Sequence, residues 1–190
     1  MPLKSSSYAN TLSRLLNTYD WSSVDALADH LFKSWQQKRT VFLCGNGGSA
    51  ANATHLANDF LYGANPNGPA IRVQSLTDNA SIITCLGNDT GYENIFAHQL
   101  KTQASKGDLL IAFSGSGNSP NVLKAIETAK ELGLATAAIL GFDGGQCKKK
   151  VDYPIHLEID DMQIAEDLQQ TVGHMLTRRV QQLIAEAKNG

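Results

Sequence analysis

Two stretches of this sequence carry polar side chains at the spacing of one helical turn. His55 and Asp59 are four residues apart. The same interval separates three polar residues near the end of the chain: Glu166, Gln170 and His174. Side chains four residues apart on a helix share one face and lie within ~6 Å of each other. Imidazole and carboxylate groups can exchange protons with a substrate or bind a divalent ion such as zinc. A surface pair and a solvated helix face are the competing interpretations.

Two loops rich in glycine and serine have the chemistry of a phosphate site. They read CGNGGS at 44–49 and SGSGNS at 114–119, and each lies between an apolar run and a helical pattern. Glycine lets a ligand approach the backbone, the unpaired amides of the next helix favour an anion, and serine hydroxyls add donors. Tight turns and helix caps explain either loop alone, but two such loops favour phosphate. Neither loop fits the common nucleotide-binding patterns.

The elements that position these loops alternate between strand-like and helix-like patterns. Apolar, strand-like runs occupy residues 40–44, 71–75, 108–113, 135–140 and 153–157. Helical patterns occupy residues 6–18 and 22–38, and a long final helix extends from about 161 to 188. This alternation predicts a parallel sheet with helices on both faces, which is a three-layer α/β sandwich. Ligands of such sheets bind beyond the carboxyl ends of the strands, where both glycine loops lie.

Composition favours a single cytoplasmic domain. The chain has 190 residues, 42% of them hydrophobic, and a formal net charge of −2, which gives no general attraction to nucleic acid. Three cysteines without CxxC spacing indicate free thiols in a reducing compartment. The N-terminus lacks an apolar signal core, and no run approaches the ~18 apolar residues of a membrane span. We therefore expect a cytoplasmic protein with neither a membrane nor a nucleic acid as partner.

Four segments in this order resemble the sugar isomerase (SIS) domain family, and within it the phosphoheptose isomerases. They read CGNGGSAANATHLANDF, CLGNDTGYENIF, SGSGNSPNV and LGFDGG, and the resemblance extends from about residue 40 to 180. It implies a flavodoxin-like five-stranded sheet in one SIS domain, residues 1–190. Residues 1–38 would then form oligomerisation helices and residues 39–190 the α/β core. The resemblance also implies a homotetramer with active sites at the subunit interfaces.

The resemblance further implies an activity and a set of site residues. The activity is aldose–ketose isomerisation of a sugar phosphate, sedoheptulose 7-phosphate to D-glycero-D-manno-heptose 7-phosphate, for heptose and surface-polysaccharide synthesis. The implied substrate-binding residues are Asn46, Gly47, Ser49, Asp89, Ser114, Gly115, Ser116, Ser119 and Glu166. The implied zinc ligands are His55, Asp59, Glu166 and His174. We expect Asp59 to act as the base at carbon, His174 as the acid and base at the oxygens, and Glu166 as the alternative base.

Three departures from the family pattern concern the metal site and the substrate: two replace a metal-site residue but keep an oxygen ligand, and the third leaves the substrate open. Asp59 stands where the family commonly has Glu, Glu166 stands where it has Gln, and the segment LYGANP at 61–66 lacks the usual Gly-Arg. The alternatives are an isomerase of another ketose phosphate and a non-catalytic SIS protein that binds a replication-initiation protein. A third alternative is a sugar-phosphate sensor of the kind fused to transcription regulators. The retained carboxylate at Asp59 favours an enzyme.

Overall fold

The computed structural model describes residues 4–189, and its elements follow the predicted order. The strands are β1 Thr40–Cys44, β2 Arg72–Ser75, β3 Leu109–Ser114, β4 Ala135–Leu140 and β5 Tyr153–His156. The helices are α1 Ser5–Thr18, α2 Ser22–Gln36, α3 Gly48–Asn58, α4 Ala80–Asp89, α5 Ala97–Gln103, α6 Pro120–Glu131, α7 Cys147–Lys150 and α8 Met162–Asn189. A π-helical turn, Asp59–Gly63, continues α3, and a 3₁₀ turn, Tyr92–Asn94, follows α4. The predicted strands and the three predicted helices are confirmed to within about two residues at each end.

All five strands are parallel and form one sheet in the order β2-β1-β3-β4-β5. The chain proceeds from β1 outward to β2, and then returns to the middle to build β3, β4 and β5 in the other direction. Ligands of open α/β sheets bind beyond the carboxyl ends of the strands at such a reversal. Cys44 at the end of β1 is in register with Ala112 of β3. The two glycine loops that follow these strands are therefore neighbours.

Each face of the sheet has its own hydrophobic core. On one face, α2, α3 and α8 contribute buried residues such as Leu31, Leu56 and Val172. On the other face, α5 and α6 contribute Leu100 and Ile126. Because both faces are covered, β3 is buried at every position and reads as a continuous apolar run. The predicted three-layer α/β sandwich with a parallel five-stranded sheet is confirmed.

The long helix α8 combines a buried apolar stripe with a polar row. The stripe recurs every four residues and consists of Ile164, Leu168, Val172, Leu176, Val180 and Ile184. The polar row Glu166, Gln170 and His174 is offset from this stripe by two residues, so packing of the stripe leaves these three side chains available for chemistry. In residues 4–189, no helix has the length and apolar character needed to cross a membrane.

The two leading helices are docked to different degrees. Helix α2 buries Val24, Leu27 and Leu31, whereas α1 has no buried residue. Helix α1 is held to α8 by the Tyr8 hydroxyl, which donates a 2.6 Å hydrogen bond to Asp167 Oδ2. This hydrogen bond to a carboxylate raises the pKa of Tyr8 to about 12. The partly exposed apolar face of α1 agrees with oligomerisation through residues 1–38, which stays a prediction.

Candidate active site

The two glycine loops enclose a cavity of about 240 Å³ at the carboxyl edge of the sheet. We call it the loop cavity; its lining consists of Asn46, Gly47, Ser49, Phe113, Ser114, Gly115, Ser116, Ser119, Met162 and Glu166. Helices α3 and α6 both begin at its wall, so their unpaired N–H groups favour an anion there. Eight of the nine residues predicted to bind substrate thus line one cavity. Their contact with substrate stays a prediction.

A pair of side-chain amides joins the first glycine loop to the start of α6. Asn46 Nδ2 donates to Asn121 Oδ1 at 2.9 Å, and Asn121 Nδ2 donates back to Asn46 Oδ1 at 2.8 Å. Asn121 is 1% exposed, so an unpaired amide at this position would be costly. The Tyr92 hydroxyl donates a further 3.1 Å hydrogen bond to Asn46 Oδ1. These contacts fix the first loop against the start of α6.

The third loop, which contains LGFDGG, closes on the second through glycines. Gly117 has φ of +64°, and a Cβ there would overlap the carbonyl of Gly144. A Cβ at Gly145, where φ is +52°, would be 2.5 Å from the carbonyl oxygen of Ser116. Only glycine permits this approach. A second cavity of about 630 Å³ adjoins the loop cavity at Ser116 and includes Asp143 of the third loop, which extends the space available to a ligand.

The serine hydroxyls in the loop cavity differ in their existing partners. The buried Ser49 hydroxyl donates to Gln169 Oε1 at 2.9 Å. Ser114 Oγ accepts from the N–H of Gly117 at 3.1 Å, which leaves its own proton free to reach a ligand. Ser119 occupies the N-cap position of α6, but its side chain makes no capping hydrogen bond. Helix capping therefore does not account for the serine at 119, which strengthens the interpretation of this loop as a ligand site.

Glu166 projects from α8 to the start of α3. A Cβ at Gly48 would overlap the Glu166 carboxylate, so the glycine at this position permits their close packing. Asn52 Nδ2 donates to the backbone oxygen of Glu166 at 2.8 Å and to Gln169 Oε1 at 3.2 Å, which fixes this part of α8 against α3. Glu166 thus places a carboxylate in the lining of the loop cavity.

His55, Asp59 and His174 form a second polar group, which we call the imidazole cluster. His55 Nε2 and His174 Nε2 lie 3.1 Å apart. Asp59 Oδ2 lies 3.5 Å from His55 Nε2 and 3.6 Å from His174 Nε2. Both imidazoles are about half exposed, at 49% and 54%. The predicted pairing of His55 with Asp59 on one face of α3 is therefore present, and α8 adds His174 to it.

Local backbone and side-chain contacts orient this cluster. Asp59 is the first residue of the π-helical turn that continues α3, and such turns recur at functional sites because they redirect side chains. Gln170 Nε2 lies 2.9 Å from His174 Nε2, one turn earlier on α8. Gln170 therefore acts as a positioning residue for His174.

The imidazole cluster fits the ligand chemistry of a divalent metal ion. In residues 4–189, His55, Asp59 and His174 each offer a ligand atom, and these atoms lie within 4.8 Å of one another. Bonds of ~2.1 Å in a tetrahedral zinc site place ligand atoms ~3.4 Å apart, close to the separations of this cluster. Two nitrogens and one oxygen also leave the fourth position of a tetrahedron open, as in catalytic zinc sites.

The four predicted metal ligands are divided between two places in this chain. Glu166 is not part of the imidazole cluster, because eight residues, or ~12 Å of helix, separate it from His174. Asp89 lies at the exposed end of α4 and does not line the loop cavity. Its carboxylate accepts from Asn88 Nδ2 at 2.8 Å and from Cys85 Sγ at 3.5 Å. The eight-residue spacing of Glu166 and His174 already leaves two arrangements open, one ion shared at full reach of the side chains or sites in different subunits. Within one chain, Glu166 stays apart from the other three.

Several supporting residues were missing from the predicted site. Asn121 and Tyr92 orient Asn46, while Gln169 and Asn52 join α3 to α8. The buried Gln169 lies among apolar neighbours on α8, and a polar residue in such a stretch is a signal that sequence inspection can use. No comparable local signal marks Asn121 as the partner of Asn46, since 75 positions separate them.

Comparison with known proteins decides the family. The profile of the family described as SIS domain matches residues 6–141. The chain belongs to the SIS domain family. It is 35% identical to a phosphoheptose isomerase of Chlorobaculum parvum over 185 residues, which cover 95% of this chain and 88% of the relative. It is also 35% identical to a phosphoheptose isomerase of Clostridium acetobutylicum over 153 residues, covering 80% and 78% of the two chains.

A solved structure confirms the fold of this SIS domain. A phosphoheptose isomerase from Francisella tularensis superposes with a TM-score of 0.88 at 24% sequence identity. The superposition covers 93% of this chain and 96% of the other. The two proteins therefore share one fold along almost the whole of both chains.

Proposed function

We propose that this SIS domain is an aldose–ketose isomerase that converts sedoheptulose 7-phosphate into D-glycero-D-manno-heptose 7-phosphate. The observation that carries the proposal is the combination of the loop cavity with the imidazole cluster on the same two helices, α3 and α8. Its curated relatives at 35% identity are phosphoheptose isomerases. A protein that only binds a sugar phosphate, or only binds another protein, does not need a carboxylate held between two imidazoles.

The reaction moves one proton between C1 and C2 through an enediol, so it needs a base, an acid and stabilisation of the developing oxyanion. The helix N-termini and serines of the loop cavity bind the phosphate and fix the sugar. Asp59 removes the proton from carbon, and His174, oriented by Gln170, moves protons at the two oxygens. Glu166 contacts the bound sugar beside the phosphate and is the alternative base.

The imidazole cluster is proposed to bind one Zn²⁺ per site through His55, Asp59 and His174. Metal binding would use the lone pair of His174 Nε2 that now faces Gln170 Nε2, so His174 would exchange protons through Nδ1. Such an ion would polarise the substrate carbonyl. This role limits Asp59, because a carboxylate oxygen bound to metal is a weaker base than a free one. The second carboxylate oxygen, which accepts a 3.2 Å hydrogen bond from Asn58 Nδ2, is therefore the one assigned to proton transfer.

We further propose a homotetramer in which one subunit completes the site of another. Some predicted site residues lie apart from the loop cavity in one chain. His55 and His174 are half-exposed and Asp89 is exposed, so a neighbouring subunit can contact them. The apolar face of α1 offers a contact surface. In this arrangement, Glu166 of one chain acts together with the imidazole cluster of another.

We assign the enzyme to the cytoplasm and its product to the synthesis of heptose-containing surface polysaccharides. Cys44, Cys85 and Cys147 are free thiols in the structure, which suits a reducing compartment. Burial raises the pKa of Cys147 to about 11, so its thiol is inert near neutral pH.

Replacement of Ser116 and Ser119 by Ala is expected to weaken binding of sedoheptulose 7-phosphate by ~0.5–3 kcal/mol, because hydrogen bonds to a charged group are lost. Calorimetric titration of the protein with the phosphorylated and the free sugar measures this effect. Ser105→Ala, at an exposed serine outside the cavity, is the matched control. The phosphate assignment fails if the free sugar binds as tightly as the phosphorylated one.

Zinc is expected to bind the purified protein at about one ion per site, and His55→Ala is expected to lose both the metal and the isomerase activity. Elemental analysis and coupled detection of the aldose product measure the two quantities. His98→Ala changes an exposed histidine outside the cluster and should retain both. Full activity in a protein free of divalent metal would contradict the zinc proposal.

Asp59→Asn is expected to slow isomerisation by ~10²–10⁴-fold, the loss typical of a general base. It should still bind the phosphorylated sugar, because Asp59 does not line the loop cavity. Steady-state rates of Asp59→Asn and Glu166→Gln, measured with sedoheptulose 7-phosphate and a panel of other ketose phosphates, identify the base and the substrate. If only Glu166→Gln loses the reaction, Glu166 is the base.

Co-expression of two slow variants, Asp59→Asn and Glu166→Gln, tests the shared site. If the two residues of one site come from different subunits, random mixing restores about one quarter of the sites. If both come from one subunit, no site is restored and activity stays at the level of the separate variants. Sedimentation of the mixed protein provides the oligomeric state, and a fully active monomer would contradict the tetramer.

A further inference from the structure

A third cavity, of about 510 Å³, opens at the amino ends of the strands, opposite the candidate active site. We call it the basic cavity. Arg39, which lines it, directly precedes β1, and Arg72 is the first residue of β2. The glycine loops, in contrast, follow the last residues of β1 and β3. The length of the parallel strands therefore separates this cavity from the loop cavity.

Four cations and no acidic residue line the basic cavity. The cations are Lys38, Arg39, Arg72 and Lys188. In the part of the chain that the structure describes, none of the four forms an ion pair with a carboxylate. This concentration of positive charge contrasts with the net charge of −2 of the whole chain. A concave surface of one sign attracts ligands of the opposite sign.

Hydrogen bonds to neutral groups fix these cations. Arg39 Nη1 donates to the carbonyl oxygen of Lys106 at 2.8 Å, and Lys188 Nζ donates to Asn65 Oδ1 at 2.7 Å. Arg39 Nε is buried and has no hydrogen-bond partner among the described residues. This nitrogen packs against Gly107, whereas Arg39 as a whole is partly exposed. The hydrogen bonds to neutral oxygens hold Arg39 and Lys188 at the cavity wall without neutralising their charge, so the cavity keeps its positive charge for an anionic ligand.

An aromatic and apolar wall completes the cavity. Trp35, Pro69 and Ala70 line it beside the cations. The Trp35 indole is fixed, because its Nε1 donates to the carbonyl oxygen of Pro69 at 2.9 Å. Phe32 stacks on Trp35 with a centroid distance of 5.7 Å and an interplanar angle of 21°. An immobile indole of this kind is a surface for a flat ring.

We propose that the basic cavity binds a nucleoside polyphosphate. The four cations take the phosphates, and the planar base packs against Trp35. Inorganic phosphate alone would leave the aromatic wall unused. A nucleic acid strand needs a continuous open groove, whereas this site is a single concavity whose volume lies in the range of small-ligand sites. The proposal does not depend on the isomerase activity, because no residue of the loop cavity or the imidazole cluster takes part.

The test is a calorimetric titration of the intact protein with ATP, GTP, CTP and UTP in EDTA, which prevents a metal ion from bridging to the imidazole cluster. Tripolyphosphate and adenosine are the two comparison probes. At least one nucleotide is expected to bind more tightly than either probe, and added salt should weaken its binding. Trp35 fluorescence should change on binding, and Trp35→Phe should remove that change.

Variants distinguish the basic cavity from the active site. The double variant Arg72→Gln, Lys188→Gln is expected to weaken nucleotide binding at least ~10-fold through loss of charge-assisted contacts. Lys149→Gln changes an exposed lysine outside the basic cavity and should leave nucleotide binding unchanged. Ser116→Ala with Ser119→Ala should retain nucleotide binding. The proposal is overturned if no nucleotide binds, if tripolyphosphate binds equally well, or if the serine variant abolishes binding while the double variant does not.

Discussion

The reciprocal amide pair between Asn46 and Asn121 is the contact on which the candidate site depends. It joins the loop after β1 to the start of α6, which follows β3. The parallel sheet brings the two loops to one edge, but only specific hydrogen bonds fix their separation. With that separation fixed, the N-termini of α3 and α6 meet at the loop cavity, and α3 with its π-helical continuation places His55 and Asp59 beside α8.

Helix α8 connects the loop cavity to the imidazole cluster. Its apolar stripe is buried against the sheet, and its polar row places Glu166 at the loop cavity and His174 at the imidazole cluster. Glu166 and His174 lie on one helix, so the helical rise fixes the distance between their Cα atoms. The proposed homotetramer would bring Glu166 of one chain near the imidazole cluster of another, which the helix itself does not do.

The fold could be predicted from the sequence because its signals are local. Apolar runs such as 109–114 identify strands buried on both faces, and the four-residue period of α8 identifies its length and its buried stripe. The loop residues could be predicted because two segments rich in glycine and serine follow strands of one sheet, a combination that tight turns and helix caps explain less well than they explain either loop alone. The pairing of Asn46 with Asn121 and the hydrogen bond of Gln169 with Ser49 could not be predicted, because each joins positions that are far apart in the sequence. The separation of Glu166 from His174 follows from their spacing alone.

We propose that the glycine loops bind the sugar phosphate and that the imidazole cluster holds the metal at the reacting end. The decisive experiment is a crystal structure of the zinc-loaded protein with a bound, slowly reacting sedoheptulose 7-phosphate analogue, recorded with anomalous data at the zinc edge. We expect phosphate density within hydrogen-bonding distance of Ser116 and Ser119, and one anomalous peak between His55, Asp59 and His174. Phosphate density outside the loop cavity, or an anomalous peak remote from both imidazoles, would contradict the proposal.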